Sequence, residues 1–290
     1  MTFTLPPGFD RRLTPARADL AAAHLKGKVE AARYVEGRPM RVEFPVAPLA
    51  PSRLINAARD SEFILGEEVT VYDEDGGFAY VQSDRDGYVG YAIAGAFKPR
   101  RAPATHRVGV IRTHAYPGPS IKLPPNWIMH RNSRVTVERF TEAFAVTDTG
   151  AHLIAAHLVP VDQFEADFVA VAETYLDTPY LWAGRTSFGI DCSGLVQTAL
   201  EACGVAVPRD TDMQEKAIGE QVAFDGDIAG LARGDLVFWK GHVGIVSGTD
   251  ELLHANGHHM QVVKEPLSGA IARIREKSYG EVTSIRRLAA

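Results

Sequence analysis

The spacing of hydrophobic and polar positions changes twice along this chain. Within residues 11–34, the stretch RADLAAAHLKGKVEA places its apolar residues at helical intervals and predicts a helical segment. After a proline-rich stretch, EEVTVY and FAYVQ alternate apolar and polar residues around the glycine turn DEDGG, which is typical of a β-hairpin. Beyond Pro160, helical spacing returns in VDQFEADFVAVAETYL, and short buried strands follow in GDLVFWKG, HVGIVSG and ELLHANG. The pattern predicts an all-β middle and an α+β C-terminal part.

The β pattern occurs twice. The triplet VTV at 69–71 precedes Phe78 by nine residues, and the triplet VTV at 135–137 precedes Phe144 by the same nine, an offset of 66 residues between the copies. Chance recurrence is the alternative, because VTV is common in strands. A tandem repeat predicts two copies of one small β-barrel module. We therefore predict four parts: a helical segment (1–40), two modules (41–100 and 101–160) and an α+β domain (161–290).

Composition narrows the classes of partner. The chain has 290 residues, a net charge of −5, 46% hydrophobic and 23% charged residues, as in soluble globular proteins. A negative net charge favours neither a nucleic acid nor an anionic membrane surface as the binding partner. No apolar run is long enough to span a bilayer. The N-terminus lacks the order of a secretory signal, so we expect a cytoplasmic protein.

The two cysteines are Cys192 and Cys203, and both fall in one predicted helix. Eleven helical residues separate them by about 16 Å, too far for a disulfide, which fits a reducing compartment. Cys203 lies late in the helix among apolar neighbours, as a buried structural cysteine would. Cys192 lies at the helix N-terminus, where the macrodipole favours a thiolate, so we expect a lowered thiol pKa and a nucleophile. The alternative is an inert buried cysteine.

A nucleophile needs a base and an orienting partner. His242 opens HVGIVSG, and His254 lies twelve residues later in ELLHANG. If these segments form an antiparallel hairpin with its turn near SGTDE, the two imidazoles share one face, and His254 can hold His242 in the required tautomer. Zinc ligation together with Cys192 is an alternative, although the chain lacks the closely spaced ligand pairs of most zinc sites.

Three motifs carry a family resemblance. The segments DCSGLVQ at 191–197, GHVGI at 241–245 and HA at 254–255, with the upstream loop PYLWAG at 179–184, resemble the NlpC family of bacterial cell-wall cysteine peptidases. The family commonly shows a second glycine where this chain has Ala183. The resemblance covers the last 130 residues and implies a papain-like α+β fold, with a cysteine-bearing helix packed on a small antiparallel sheet. Members of the family also carry bacterial SH3-like barrels before the catalytic domain, which fits the tandem repeat.

The chain is most similar to the dipeptidyl-peptidase group of this family, which cleaves γ-D-glutamyl–diamino acid bonds in peptidoglycan stem peptides. The resemblance implies that Asp191 binds the substrate's N-terminal ammonium; the alternative is a simple N-cap of the cysteine helix. It also implies substrate-site roles for the residues that match positions of that group. These are Ser193, Thr211, Tyr180 and Trp182 in the C-terminal domain, and Glu67 or Glu68 with Tyr88 in the first barrel.

The sequence thus predicts a cysteine peptidase with Cys192 as nucleophile, His242 as base and His254 as orienting residue. The expected substrate is a murein tripeptide or related short peptide with a free N-terminal L-Ala, cut after γ-D-Glu for murein peptide recycling. No metal or organic cofactor is expected. Two alternatives stay open: a wall-binding protein with a degenerate catalytic domain, and an amidase or acyltransferase on the same scaffold.

Overall fold

The structure is a computed structural model that describes residues 3–54 and 56–288. It divides into two compact units. The first ends at Val161, apart from the stretch Gly109–Arg112, which belongs to the second unit; the second begins at Asp162. Among the described residues, no helix is both long and apolar enough to cross a membrane.

The N-terminal segment does not form the predicted helix. It contains β1 (Ala16–Arg17), β2 (Leu20–Ala22), a 3-10 turn (Ala23–Leu25) and β3 (Tyr34–Val35). The three residues of β2 are all buried, and Leu20 packs with Tyr80 and Val89 of the first module. Three consecutive buried residues suit a strand that is covered on both faces, whereas a surface helix buries only one face. These tertiary contacts override the helix propensity of the alanine-rich stretch.

The first predicted module is an antiparallel β structure. Its main sheet has the strand order β10-β4-β7-β8-β9, and β5 pairs with β6. Strand β7 alternates buried and half-buried residues in its first half, so that Val69 and Val71 enter the core while their neighbours do not. Gly76 and Gly77 both have positive φ (58° and 81°), which the tight β7–β8 turn requires. The strands are β4 (Arg38–Val42), β5 (Val46–Leu49), β6 (Ser61–Ile64), β7 (Glu68–Asp75), β8 (Phe78–Ser83), β9 (Val89–Ile93) and β10 (Phe97–Pro99).

The second predicted module repeats the hairpin of the first. Its five-stranded sheet has the order β13-β12-β17-β16-β15, and a smaller sheet has the order β14-β11-β18. The first VTV triplet lies within β7 of the hairpin β7–β8, and the second ends at Val137, the first residue of β15 in the antiparallel hairpin β15–β16. The strands are β11 (His106–Val108), β12 (Arg112–Tyr116), β13 (Trp127–His130), β14 (Arg134–Val135), β15 (Val137–Phe140), β16 (Phe144–Thr147), β17 (His152–Ile154) and β18 (Leu158–Pro160).

The second compact unit is an α+β domain built around an antiparallel sheet with the order β21-β26-β22-β23-β24-β25. Alternate residues of its strands face opposite helices. Phe238 and Ile245 share a core with helix α2, whereas Trp239 and Val246 share a core with helix α4. The helices are α1 (Phe168–Glu173), α2 (Cys192–Ala202), α3 (Thr211–Ala217) and α4 (Leu267–Lys277). The strands are β19 (Arg185–Thr186), β20 (Gly189–Ile190), β21 (Glu220–Val222), β22 (Leu236–Trp239), β23 (His242–Gly248), β24 (Glu251–Asn256), β25 (Gln261–Pro266) and β26 (Val282–Arg287).

Candidate active site

Cys192 is the first residue of α2 and is 7% exposed. Asp191 caps this helix by accepting a hydrogen bond from the backbone N–H of Gly194 at 2.7 Å. The first turn of the helix lies so close to the preceding loop that a Cβ on Gly194 would come within 2.3 Å of the Gly184 carbonyl oxygen. Residue 194 therefore has to be glycine for the cysteine to hold its place at the N-terminus. Neither cysteine forms a disulfide, as the sequence predicted.

The predicted fall in the thiol pKa is wrong. Burial, together with the negative charge of Asp191, raises the pKa of Cys192 to about 11. Hydrogen bonds from the backbone N–H of Val243, from Thr211 and from the backbone N–H of Ser193 act in the opposite direction but do not offset burial. Cys192 is thus a neutral thiol at neutral pH, and the predicted nucleophilic role requires a base.

The candidate base, His242, lies close to Cys192. The next residue along the chain, Val243, donates its backbone N–H to the Cys192 sulfur. His242 opens β23, and its Nε2 lies 2.8 Å from Nδ1 of His254 in β24, so the shared face predicted from the hairpin is confirmed. Burial is the main cause that holds the pKa of His242 well below its usual value, and the neighbouring His254 and Arg273 act in the same direction. His242 is therefore a neutral imidazole that can accept a proton. The ring of Tyr279 stacks on it with centroids 5.2 Å apart and an interplanar angle of 7°.

Beyond His254 lies a polar network that the sequence analysis missed. Nε2 of His254 is 2.7 Å from Oε1 of Glu265 and 2.9 Å from Nδ2 of Asn256. Arg273 of α4 forms a short ion pair with the same carboxylate. Burial opposes the charge on Glu265, but the hydrogen bond with His254 and the nearby His254 ring and Arg273 guanidinium lower its pKa to about 2. The signal for Glu265 was its place in the strand next to His254, which only the pairing of β24 with β25 reveals.

Asp191 is paired with a buried arginine that the sequence analysis also missed. Nη2 of Arg209 is 2.7 Å from Oδ2 of Asp191, and Nη1 is 3.0 Å from Oδ1. The backbone N–H of Ala183 donates to Oδ2 at 2.9 Å, and the Ser193 hydroxyl donates to Oδ1 at 3.2 Å. Both carboxylate oxygens are thus already occupied, as the capping alternative implies. The amine-binding role of Asp191 stays a prediction, and it requires the ammonium to join these donors.

The remaining predicted residues of this unit differ in their surroundings. Thr211 opens α3, and its hydroxyl lies 4.0 Å from the Cys192 sulfur. Ser193 is buried and accepts a hydrogen bond from Arg209. Burial and the nearby Cys192 and Asp191 raise the pKa of Tyr180, which therefore stays a neutral phenol. Trp182 is 65% exposed and is not a core aromatic.

The three candidate residues of the first module belong to the first compact unit. Glu67 is buried, accepts a hydrogen bond from the backbone N–H of Ile64 at 3.0 Å and pairs with Arg85. Glu68 is more exposed and lies near Arg100. Tyr88 is 3% exposed and belongs to the hydrophobic core of that module. Their substrate-binding roles stay predictions.

Metal ligation was the alternative for the histidines. Over residues 3–54 and 56–288, no group of three or more His, Cys, Asp and Glu side chains is arranged to hold a metal ion.

Comparison with known proteins identifies the domains. Residues 177–282 match the NlpC/P60 family, so the second compact unit contains a domain of this peptidase class, as the motifs predicted. Residues 51–92 match the bacterial dipeptidyl-peptidase SH3 domain, so the chain combines an SH3 domain with an NlpC/P60 domain. The predicted family resemblance and the α+β, papain-like fold class are confirmed.

Individual relatives extend this comparison. Dipeptidyl-peptidase 6 of Lysinibacillus sphaericus is 35% identical over 103 residues, which are 36% of this chain and 36% of that protein, so the match spans little more than a third of its length. Gamma-D-glutamyl-L-lysine dipeptidyl-peptidase of Bacillus cereus is 26% identical over 248 residues, 74% of this chain and 73% of that protein. The crystal structure of an NlpC/P60 family protein from Bacillus cereus superposes with a TM-score of 0.72 at 20% identity, covering 87% of this chain and 100% of that one, which supports the fold.

Proposed function

We propose that this protein is a cysteine peptidase that hydrolyses the γ-D-Glu–diamino acid bond of peptidoglycan stem peptides with a free N-terminal L-Ala. The observation that carries the catalytic part is the buried arrangement of Cys192 beside Val243, with His242 hydrogen-bonded to His254 at 2.8 Å. The names of the two relatives, a dipeptidyl-peptidase and a gamma-D-glutamyl-L-lysine dipeptidyl-peptidase, support the substrate class.

The chemistry is acyl transfer with general-base assistance. His242 removes the Cys192 proton as the sulfur attacks the amide carbon, and the imidazolium then protonates the leaving amine. The carbonyl oxygen, which becomes negative in the tetrahedral intermediate, accepts hydrogen bonds from the backbone N–H of Cys192 and from the Tyr180 hydroxyl. Water hydrolyses the thioester, with His242 again as base. The high pKa of the thiol and the low pKa of the imidazole favour a neutral pair that reacts by concerted proton transfer rather than a preformed thiolate–imidazolium pair.

The substrate class is tested with L-Ala-γ-D-Glu-diamino acid tripeptides, free and N-acetylated, followed by mass spectrometry. Acetylation removes the positive charge of the ammonium, but Arg209 still pairs with the Asp191 carboxylate, so the loss is that of one charge-assisted hydrogen bond, roughly 1.5–3 kcal/mol. We expect kcat/KM to fall about 10- to 100-fold on acetylation. Asp191→Asn, which can still cap α2, should reduce this discrimination. Equal rates on the free and acetylated peptides would leave only a generic peptidase.

The nucleophile is tested in the same assay. Cys192→Ala should abolish product formation while the protein stays folded, and Cys203→Ala is the matched control that should retain activity. Release of an intact L-Ala–γ-D-Glu dipeptide identifies the cleaved bond, whereas an amidase or acyltransferase would give a different product. The predicted place of action, cytoplasmic recycling of murein peptides, is tested by fractionating cells that express the native protein.

A further inference from the structure

We propose that Glu265 is a positioning residue that sets the tautomers of both histidines and thereby leaves Nδ1 of His242 as the base. The proposal rests on the proposed peptidase function. Its basis is a chain of hydrogen bonds that runs from the Glu265 carboxylate through His254 to His242.

The direction of each hydrogen bond follows from Glu265, the last group of this hydrogen-bonded series. Oε1 of Glu265 is 2.7 Å from Nε2 of His254, and an ionised carboxylate can only accept, so His254 carries its proton on Nε2. Burial lowers the pKa of His254 below its usual value, so its ring is neutral. A neutral imidazole has one N–H, so Nδ1 of His254 is an acceptor. Nε2 of His242, 2.8 Å from that atom, must therefore donate to it. The proton of His242 is then on Nε2, and its Nδ1 has a free lone pair for the Cys192 proton.

Asn256 contacts the same nitrogen of His254 as Glu265 does, and it favours the opposite tautomer. Its Oδ1 accepts from the backbone N–H of His259 at 2.7 Å, so its Nδ2 is the atom that faces Nε2 of His254 at 2.9 Å. Nδ2 is a donor and would favour an unprotonated Nε2 on His254. Glu265 and Asn256 thus compete for opposite tautomers of the same ring, and the shorter, charge-assisted bond to the carboxylate prevails.

The carboxylate is itself held in place. Glu265 lies in β25, where it pairs with Leu252, while His254 pairs with Val263 two residues away. Arg273 of α4 forms an ion pair with Oε1, and His259 lies 3.6 Å from Oε2. With its pKa lowered to about 2, Glu265 is an anion throughout the range in which an enzyme of this kind is assayed.

The consequence of losing Glu265 follows from the same bonds. With no acceptor at that position, Asn256 would donate to Nε2 of His254 and move the proton of His254 to Nδ1. Nδ1 would then donate to Nε2 of His242, which would carry its own proton on Nδ1, the position the base requires to be free. The site would stay folded, yet its base would be blocked.

The test combines a tautomer measurement with kinetics. In the wild-type protein labelled with 15N-histidine, two-dimensional NMR should show His254 and His242 neutral with the proton on Nε2 in both. Glu265→Leu should move both protons to Nδ1 and lower kcat/KM for the free tripeptide at least about 100-fold, since general-base assistance contributes 10²–10⁴-fold. Adding Asn256→Asp to Glu265→Leu supplies an acceptor at the same nitrogen and should restore the Nε2 protons and bring kcat/KM to within about tenfold of wild type.

Controls separate positioning from stability and from substrate. Glu251→Gln removes an acid from the neighbouring strand that pairs with Lys264 and not with a histidine, and it should leave both the tautomers and kcat/KM unchanged. The proposal is overturned if wild-type His254 carries its proton on Nδ1, or if Asn256→Asp fails to restore a folded Glu265→Leu protein. The wild-type spectrum decides the first point even where Glu265→Leu does not fold. If the wild type does not cleave the tripeptide, the proposed function fails, and the spectra still test the role of Glu265.

Discussion

The protonation state of Cys192 offers a quantitative test of how this site works. The pKa of about 11, against an ordinary value of 9.0, corresponds to roughly 3 kcal/mol against the thiolate. At pH 7 about one thiol in ten thousand is then ionised. Burial is the largest cause and the charge of Asp191 the second. Asp191→Asn removes that charge, keeps a residue that can cap α2, and should lower the thiol pKa.

The assay is the rate of alkylation by iodoacetamide between pH 7 and 10.5, resolved by mass spectrometry of the peptide that contains residue 192. Because only the thiolate reacts, the rate for Cys192 should rise tenfold per pH unit without reaching a plateau below pH 10. Asp191→Asn should reach its plateau at lower pH than the wild type. A Cys203→Ala background ensures that Cys192 is the only thiol that is labelled.

A wild-type plateau at or below pH 9 would refute this reasoning, because the helix N-terminus would then outweigh burial, as the sequence alone suggested. An unchanged profile in Asp191→Asn would show that Arg209 already neutralises the aspartate at the sulfur. Slow labelling at neutral pH is expected of an intact site and so does not indicate a degenerate catalytic domain.

Two further predictions concern the histidines and the buried ion pair. His242→Ala should reduce turnover of the tripeptide about as severely as loss of the nucleophile, because the two act as one unit, and His254→Ala should cost less; equal losses in a steady-state assay would mean that His254 does more than orient. Arg209→Met leaves the buried Asp191 carboxylate without its partner and should lower the free energy of unfolding in urea by roughly 3–5 kcal/mol. Arg233→Met, which breaks the more exposed pairs of Arg233 with Asp167 and Glu173, should cost less than about 1 kcal/mol, and similar losses in both variants would contradict a structural role for the buried pair.

The local sequence was informative wherever one short segment carries the whole signal. The alternation in EEVTVY and FAYVQ around DEDGG predicted the hairpin β7–β8, because strand period and turn chemistry are properties of neighbouring residues. The capped start of α2 at Cys192 was predictable for the same reason. The parities of His242 and His254 placed them on one face, because a two-residue period fixes side-chain direction once a hairpin is assumed.

The sequence failed where distant segments compete with local preference. The alanine-rich stretch at 11–34 favours a helix on its own. Leu20 packs against Tyr80 and Val89, however, and this burial makes the strand β2 the more stable conformation.

The sequence by itself determined the domain class and the identity of the candidate nucleophile and base, since these depend on residue types at short spacing. Only the tertiary structure decided their protonation. Arg209, eighteen residues from Asp191, pairs with its carboxylate, and Glu265, on the strand next to His254, lies within hydrogen-bond distance of that ring. Burial inside the folded unit reverses the expected pKa shift of Cys192. The physical reason is that solvation and charge depend on everything packed around a group, and a motif specifies only its neighbours along the chain.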